Sequence, residues 1–348
     1  MDPTTTGVVP SSEPFSWENA LNGSLTMTLS AIGIFVSAGS AALLHRVTKD
    51  STGGSGSFAR IAQSMAVADC GCLLVFLLWI GPTTILQSPW AERLPGQILG
   101  RLMCVFWFVS IYSMLAMALN RAAAVAFPLQ YQRWFSARKT NLCIGARWLV
   151  GSGKILLLTH PEDCAYYYRP AQFYLGYASS VCGQRLRHYL EWWSSVAIIA
   201  VCFLVNMATL ALLKTGNRDA MRGLQAAVRA EASRRRRAEL RLFLQSLATA
   251  SMLGSGLFVF HVVFASLLDV RRSRWLLYAT GTLVWVVALA LNGVLLLLFL
   301  PDLRRQLCCW KSFLHCFNNN NTNNDSKPRP PKAVAVNFAV KRTADPRL

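Results

Sequence analysis

The groups best suited to chemistry in this sequence are ionisable side chains set inside long apolar stretches. Asp69 lies in one such stretch, Arg147 and Lys154 interrupt another, and His261 stands alone in a third. Such groups are costly inside a bilayer, so their presence indicates function. A hydrolase would need histidines and carboxylates grouped for metal or base chemistry. Because the histidines are scattered along the chain, we expect no enzyme, no metal site and no cofactor; they lie at 45, 160, 188, 261 and 315.

Seven apolar stretches are each long enough to cross a bilayer. The hydrocarbon core is roughly 30 Å thick and needs about 20 helical residues to span it. Lipid offers the backbone no hydrogen-bond partners, so single spans must be helical. The sequence therefore predicts an all-α membrane protein, a seven-transmembrane helix bundle. The predicted spans are 25–44, 58–82, 99–127, 141–158, 192–213, 242–268 and 276–300.

Basic residues are distributed unequally between the two sides of these spans. Of the 35 Lys and Arg residues, about 25 fall on the side of the C-terminus and about 7 on the other side. This pattern predicts a multi-pass protein of the plasma membrane with its N-terminus outside and its C-terminus in the cytoplasm. The net charge of +19 is then suited to anionic lipid rather than to nucleic acid.

The segments flanking the spans have their own signatures. Residues 1–24 form the predicted extracellular N-terminus, with a glycosylation sequon at Asn22. Residues 301–316 are predicted as a short amphipathic surface helix. Its Cys308 and Cys309 are either reduced thiols or palmitoylation sites. The polar tail, 317–348, lacks the apolar surface needed to fold and is predicted to be disordered.

Two cysteines, Cys164 and Cys182, fall in the longest predicted extracellular loop, where oxidation is allowed. No other cysteine is on that side, so we expect a disulfide between them. The same loop is rich in tyrosine and phenylalanine.

The fourth span carries two cations, Arg147 and Lys154, which are seven residues apart and so share a helix face. One interpretation is that both side chains reach towards the membrane surfaces. The other is that one of them pairs with Asp69 inside the bundle. The spacing leaves both open.

Short motifs occur in a characteristic order along the chain: Ala66-Val67-Ala68-Asp69, Asn120-Arg121, Pro128-Leu129-Gln130-Tyr131, Cys182-Gly183 and Asn292-Gly293. Together with the seven spans they resemble rhodopsin-like G-protein-coupled receptors. The pair Asn120-Arg121, where most such receptors have an acid before the arginine, is similar to the nematode serpentine receptor class X chemoreceptors. The resemblance covers roughly residues 25–310.

The resemblance implies a receptor that binds a small molecule from outside and activates a heterotrimeric G protein. Asp69 would form a buried polar or sodium-binding network with Asn292 and Ser40, or a purely structural one. In the resting state of the receptor, Arg121, next to Asn120, would bind Glu239. On activation, Arg121 would contact the G protein. Alternatively, Arg121 is only an anchor at the inner leaflet.

Some features of the wider superfamily are missing. The superfamily usually has a cysteine at the outer end of span three that forms a disulfide with the loop. In this chain that cysteine would fall near Gly96 and is absent, so we expect the disulfide Cys164–Cys182 to replace the usual one. Span six has no proline on which to hinge.

The resemblance also implies a ligand pocket between spans three, five, six and seven, beneath the aromatic loop. The pocket is expected to be aromatic and mostly uncharged. A transporter or channel is the alternative function, although the chain shows no internal repeat. The candidate ligand-binding residues are Met103, Trp107, Trp192, His261, Phe264 and Trp285.

Overall fold

The computed structural model describes residues 16–50, 55–158, 162–220, 226–263, 266 and 274–299. Several predictions therefore lie outside the described residues. They concern Phe264, the surface helix 301–316 with Cys308 and Cys309, and the tail 317–348. Glu239 belongs to a described helix, but its side chain is also outside the description.

Long helices account for most of the described chain. The elements are α1 (Trp17–Asp50), α2 (Ser55–Val75), α3 (Gly81–Leu86), α4 (Leu94–Ala126), α5 (Pro128–Trp134), α6 (Ala137–Leu158), β1 (Tyr166–Arg169), β2 (Tyr174–Tyr177), α7 (Val181–Arg185), α8 (Ser194–Ala220), α9 (Ala226–Phe258), α10 (Arg274–Tyr278) and α11 (Val284–Phe299).

The described residues of all seven predicted spans are helical, apart from Phe127 at the end of span three, which confirms the predicted bundle. Within the described ranges, six stretches are long and apolar enough to cross a membrane, and α6 supplies span four although Arg147 and Lys154 lower its hydropathy. The six are span one (Trp17–Arg46), two (Gly56–Leu86), three (Leu94–Ala126), five (Val181–Lys214), six (Leu240–Val263) and seven (Arg274–Phe299).

The helices extend beyond the predicted spans, because bilayer thickness sets only the apolar minimum and not the helix ends. Helix α1 begins at Trp17, so residues 17–24 are helical and not part of an extended N-terminus. Asn22 lies in this helix and is 1% exposed. A glycan needs an accessible side chain, so the structure does not support the predicted glycosylation of Asn22.

Within the described residues, four spans contain a π-helical stretch. These wider turns are common at functional sites, because they shift the register of the residues that follow. Span six, which has no proline, contains one of them. The four are Phe76–Ile80, Leu186–Trp193, Val259–Val263 and Ala279–Leu283.

Strands β1 and β2 form an antiparallel hairpin, with Tyr166 opposite Tyr177 and Arg169 opposite Tyr174. The Arg169 guanidinium closes the hairpin by donating to the Tyr177 carbonyl and the Tyr174 hydroxyl, each at 2.8 Å. The expected disulfide is present between the flanking residues Cys164 and Cys182, whose Cα atoms are 5.2 Å apart. The loop is thus an ordered unit closed on itself.

The hairpin is attached to the bundle by polar and steric contacts with three spans. The hydroxyls of Tyr168 and Thr84, in span two, are 2.7 Å apart. Burial raises the pKa of Tyr168 above its usual range, so this hydroxyl stays neutral. Thr282 in span seven donates to the carbonyl of Phe173. In span three, a Cβ atom at Gly100 would lie 2.1 Å from the Tyr166 carbonyl oxygen. Glycine at this position therefore permits the close contact between span three and the hairpin.

We predict that Gly100→Ala destabilises the protein. The new methyl group would meet main-chain atoms of Tyr166, and such overpacking costs roughly 1–3 kcal/mol. Gly153→Ala is the matched control, because its Cβ position has no heavy atom within 4 Å. The control should be neutral or slightly stabilising, since alanine favours a helix over glycine. Thermal unfolding of both purified variants in detergent tests this; equal midpoints would contradict the proposed close contact.

Candidate functional site

Asp69 is fully buried in span two and accepts two hydrogen bonds. Ser110 Oγ in span three donates to Oδ1 at 2.7 Å, and Asn292 Nδ2 in span seven donates to Oδ2 at 2.5 Å. Because both carboxylate oxygens are acceptors, the arrangement suits the ionised form. Each neighbouring helix thus contributes a donor that the lipid could not supply.

The network continues into span six, where Thr249 Oγ1 donates to Asn292 Oδ1 at 3.2 Å. We call Asp69, Ser110, Thr249 and Asn292 the polar cluster. Ser40 was expected in this network but bonds elsewhere, to the carbonyls of Val36 and Gly293.

The structure therefore brings together two of the three predicted residues, Asp69 and Asn292. Sequence reasoning missed Ser110 and Thr249. Their hydroxyls give no distinctive signal, because buried serines and threonines usually bond to their own helix, as Ser113 does with the carbonyl of Val109. The hydroxyl, amide and carboxylate oxygens of the cluster are the donor types that hard cations take.

Arg121, near the C-terminal end of span three, is 4% exposed and contacts two other spans. Its Nη2 donates to Gln245 Oε1 in span six at 3.2 Å, and its Cζ lies 4.5 Å from the centre of the Phe58 ring in span two. The predicted partner was Glu239, whose side chain lies outside the description. Asn120, the preceding residue, accepts a hydrogen bond from the Tyr131 hydroxyl at 3.2 Å. Asn120 thus secures the short helix α5, while Arg121 connects the spans.

The two cations of span four do not contact Asp69, so pairing with Asp69, one of the two interpretations left open, is not found among the described residues. Lys154 Nζ lies 3.5 Å from the Tyr112 hydroxyl, 3.4 Å from Ser194 Oγ and 4.4 Å from the Phe108 ring centre. Arg147 is 8% exposed and its Nε donates to the Cys143 carbonyl at 3.3 Å. Lys154 thus contacts spans three and five, whereas the described hydrogen bond of Arg147 stays within its own helix.

A cavity of about 30 Å³ lies between the hairpin and the helices. A space of roughly 10–15 Å³ holds one water molecule, so this cavity has room for a small chemical group. We call it the hairpin cavity. Spans two, three, five and seven and the hairpin line it through Cys72, Met103, Cys104, Trp107, Phe108, Tyr166, Leu175, Glu191, Trp285 and Leu289.

Three of the predicted ligand-binding residues line this cavity: Met103, Trp107 and Trp285. The two tryptophans form an edge-to-face pair with ring centres 4.7 Å apart. Trp192 and His261 lie beside it and pack on each other, with ring centres at 4.7 Å.

One lining residue, Glu191, is acidic and was not among the predicted ligand-binding residues. Glu191 is 8% exposed and lies in the π-helical stretch Leu186–Trp193. Burial and the neighbouring Glu191 carboxylate raise the pKa of Tyr166 well above its usual range. Sequence reasoning missed Glu191 because it directly precedes the predicted start of span five, in a segment interpreted as loop.

The geometry defines a rhodopsin-like seven-helix membrane protein. The chain is similar to the crystal structure of squid rhodopsin, with a TM-score of 0.66 and 17% identity, over 89% of this chain and 93% of that chain. At this identity the likeness shows the fold alone.

The family follows from the sequence comparisons. Residues 27–299 match the family described as serpentine type 7TM GPCR chemoreceptor Srx, and the chain belongs to this family. The chain is also 24% identical to serpentine receptor class X 45 of Caenorhabditis elegans over 265 residues, and this alignment covers 72% of each protein. The chain is therefore a multi-pass membrane receptor of a chemosensory family, not an enzyme, and not the transporter or channel weighed as the alternative.

We predict that Ser110→Ala destabilises the receptor by roughly 1.5–3 kcal/mol, the usual contribution of a hydrogen bond to a charged group. Ser113→Ala is the matched control, because this serine is equally buried in the same helix but bonds only to the carbonyl of Val109. Denaturant unfolding of the two variants in detergent measures the difference. Equal losses of stability would mean that the bond to Asp69 contributes nothing specific.

Proposed function

We propose that this receptor binds a small molecule in the hairpin cavity and activates a heterotrimeric G protein through its opposite end. The observation that carries the proposal is the layout of span three. This helix lines the cavity with Met103 and Trp107, contributes Ser110 to the polar cluster, and ends near Arg121. Met103 and Arg121 are separated by roughly 27 Å of helix.

The ligand side of the proposal is supported by the surroundings of the cavity. Its walls are aromatic, and the hairpin with its disulfide covers it. A concave, mostly apolar site with few polar groups is the usual form of a small-molecule site.

The coupling side is supported by the contact of Arg121 with span six. Gln245 and Phe58 hold the guanidinium within the bundle. A displacement of span six would break the bond from Arg121 to Gln245 and release the guanidinium for a partner protein. The polar cluster joins spans two, three, six and seven midway, and spans two, three and seven also line the cavity, so a change at the cavity reaches Arg121 through hydrogen-bonded helices.

The orientation in the plasma membrane is part of the same proposal. The excess of basic residues on the side of Arg121 supports a cytoplasmic location for this end and an extracellular location for the hairpin and N-terminus. An epitope at the N-terminus should be stained on intact cells, and one at the C-terminus only after permeabilisation. The reverse pattern would contradict the orientation.

We predict that Arg121→Ala abolishes nucleotide exchange on Gα in response to pooled metabolite extracts. The reconstituted receptor with each Gα class gives the assay, and Arg185→Ala, an exposed arginine near the hairpin, is the control. Arg185→Ala should respond like the unaltered receptor. An Arg121→Ala variant that is folded and still fully responsive would remove Arg121 from the coupling mechanism.

We further predict that Gln245→Leu raises basal exchange several-fold, because it removes the acceptor that Arg121 uses in span six. Ser246→Ala is a suitable control, since this neighbouring buried residue accepts a bond from Asn206 and not from Arg121. Basal exchange without extract measures the effect. A drop or no change in Gln245→Leu would mean that this bond does not maintain the resting state.

A further inference from the structure

The hairpin cavity contains one acidic side chain that none of its other lining residues neutralises. Glu191 lines the cavity beside Trp107, Tyr166 and Trp285, and only 8% of it is exposed. A carboxylate in such surroundings is strongly disfavoured unless it is paired or hydrogen-bonded.

Within the described part of the chain, Glu191 has no such partner. The ion pair found there joins Arg274 to Glu18, and no hydrogen bond between described side chains ends on the Glu191 carboxylate. Arg187, one helical turn earlier, acts on Glu191 electrostatically but places no nitrogen within 4.0 Å of it.

One cation of the neighbouring spans, Lys154, already has hydrogen-bond partners. Lys154 bonds to Tyr112 and to Ser194, and it rests on the Phe108 ring. Within the described residues, Glu191 therefore presents its carboxyl group to the cavity without a protein cation in contact with it.

The rings around Glu191 add a second attraction for positive charge. Trp107 and Trp285 meet edge to face, with ring planes at 74°, and Phe260 packs on Trp285 with ring centres 5.5 Å apart. Aromatic faces attract ammonium groups, tryptophan most strongly. A carboxylate and indole rings in one small cavity are complementary to a protonated amine.

We propose that the ligand of the hairpin cavity is a protonated amine, whose ammonium group donates to the Glu191 carboxylate while its carbon frame contacts Trp107 and Trp285. This inference rests on the proposed function in using the same cavity, and it specifies the ligand class. The cavity of about 30 Å³ restricts the charged end to a small group.

Matched probes separate charge from shape. Propylamine and benzylamine carry the ammonium group, and propanol and benzyl alcohol have nearly the same shape without the charge. A ligand that binds the folded state raises the unfolding temperature. The amines should stabilise the full-length receptor in detergent, and the alcohols should not. Equal stabilisation by amine and alcohol, or none by either amine, would overturn the inference.

Variants assign the effect to the carboxylate. Glu191→Gln keeps the shape of the side chain and should weaken amine binding roughly 30-fold or more, as expected for loss of a buried charge partner. Glu92→Gln, at an exposed position, should bind like the unaltered receptor. Arg187→Gln removes the competing positive charge and should strengthen amine binding. Unchanged affinity in Glu191→Gln, or weaker binding in Arg187→Gln, would contradict the proposal.

Gα nucleotide exchange distinguishes this inference from the proposed function. Amine binding that depends on Glu191 but promotes no exchange would support the ligand class and count against coupling. Exchange that is driven by uncharged compounds and is unchanged in Glu191→Gln would support coupling and overturn the ligand class.

Discussion

A carboxylate buried among membrane-spanning helices constrains most of this structure. Within the described residues no cation lies beside Asp69, so hydrogen bonds from other spans stabilise this buried carboxyl group. Ser110 and Asn292 can supply them only if spans three and seven are rotated to face span two. Asn292 in turn receives a bond from Thr249, which sets the face of span six. One buried carboxyl group and its hydrogen bonds thereby link four helices, spans two, three, six and seven.

Close approaches between small residues complete the arrangement. A Cβ atom at Gly293 would lie 2.6 Å from Ser37 Oγ, so glycine lets span seven approach span one next to the polar cluster. Ser40 bonds to the Gly293 carbonyl at this contact. Packing of this kind is the main attraction between helices in lipid, where no hydrophobic gain remains. The cluster and the glycine contact together make the centre of the bundle the least adjustable part, while the two ends contain the cavity and Arg121.

The sequence predicted the fold and part of the sites, for identifiable reasons. Hydropathy located all seven helices but not their ends, and it therefore placed Glu191 in a loop and Asn22 outside the bundle. Motifs identified Asp69 and Asn292 because carboxamide and carboxylate groups are rare in apolar spans. They could not identify Ser110, whose hydroxyl is common in such spans, nor Gln245 as a contact of Arg121. The contact with Gln245 depends on the rotation of span six, which a single sequence does not encode in any simple pattern.

The manner in which the hairpin is held has a kinetic consequence. Its disulfide joins Cys164, before the hairpin, to Cys182 in helix α7, and the described contacts of the hairpin with spans two, three and seven include hydrogen bonds and packing at Gly100. Moving the hairpin strands away from these three spans therefore breaks no covalent bond. In the proposed receptor, the residence time of a ligand beneath the hairpin would depend on non-covalent contacts, which can break and re-form as the ligand concentration changes.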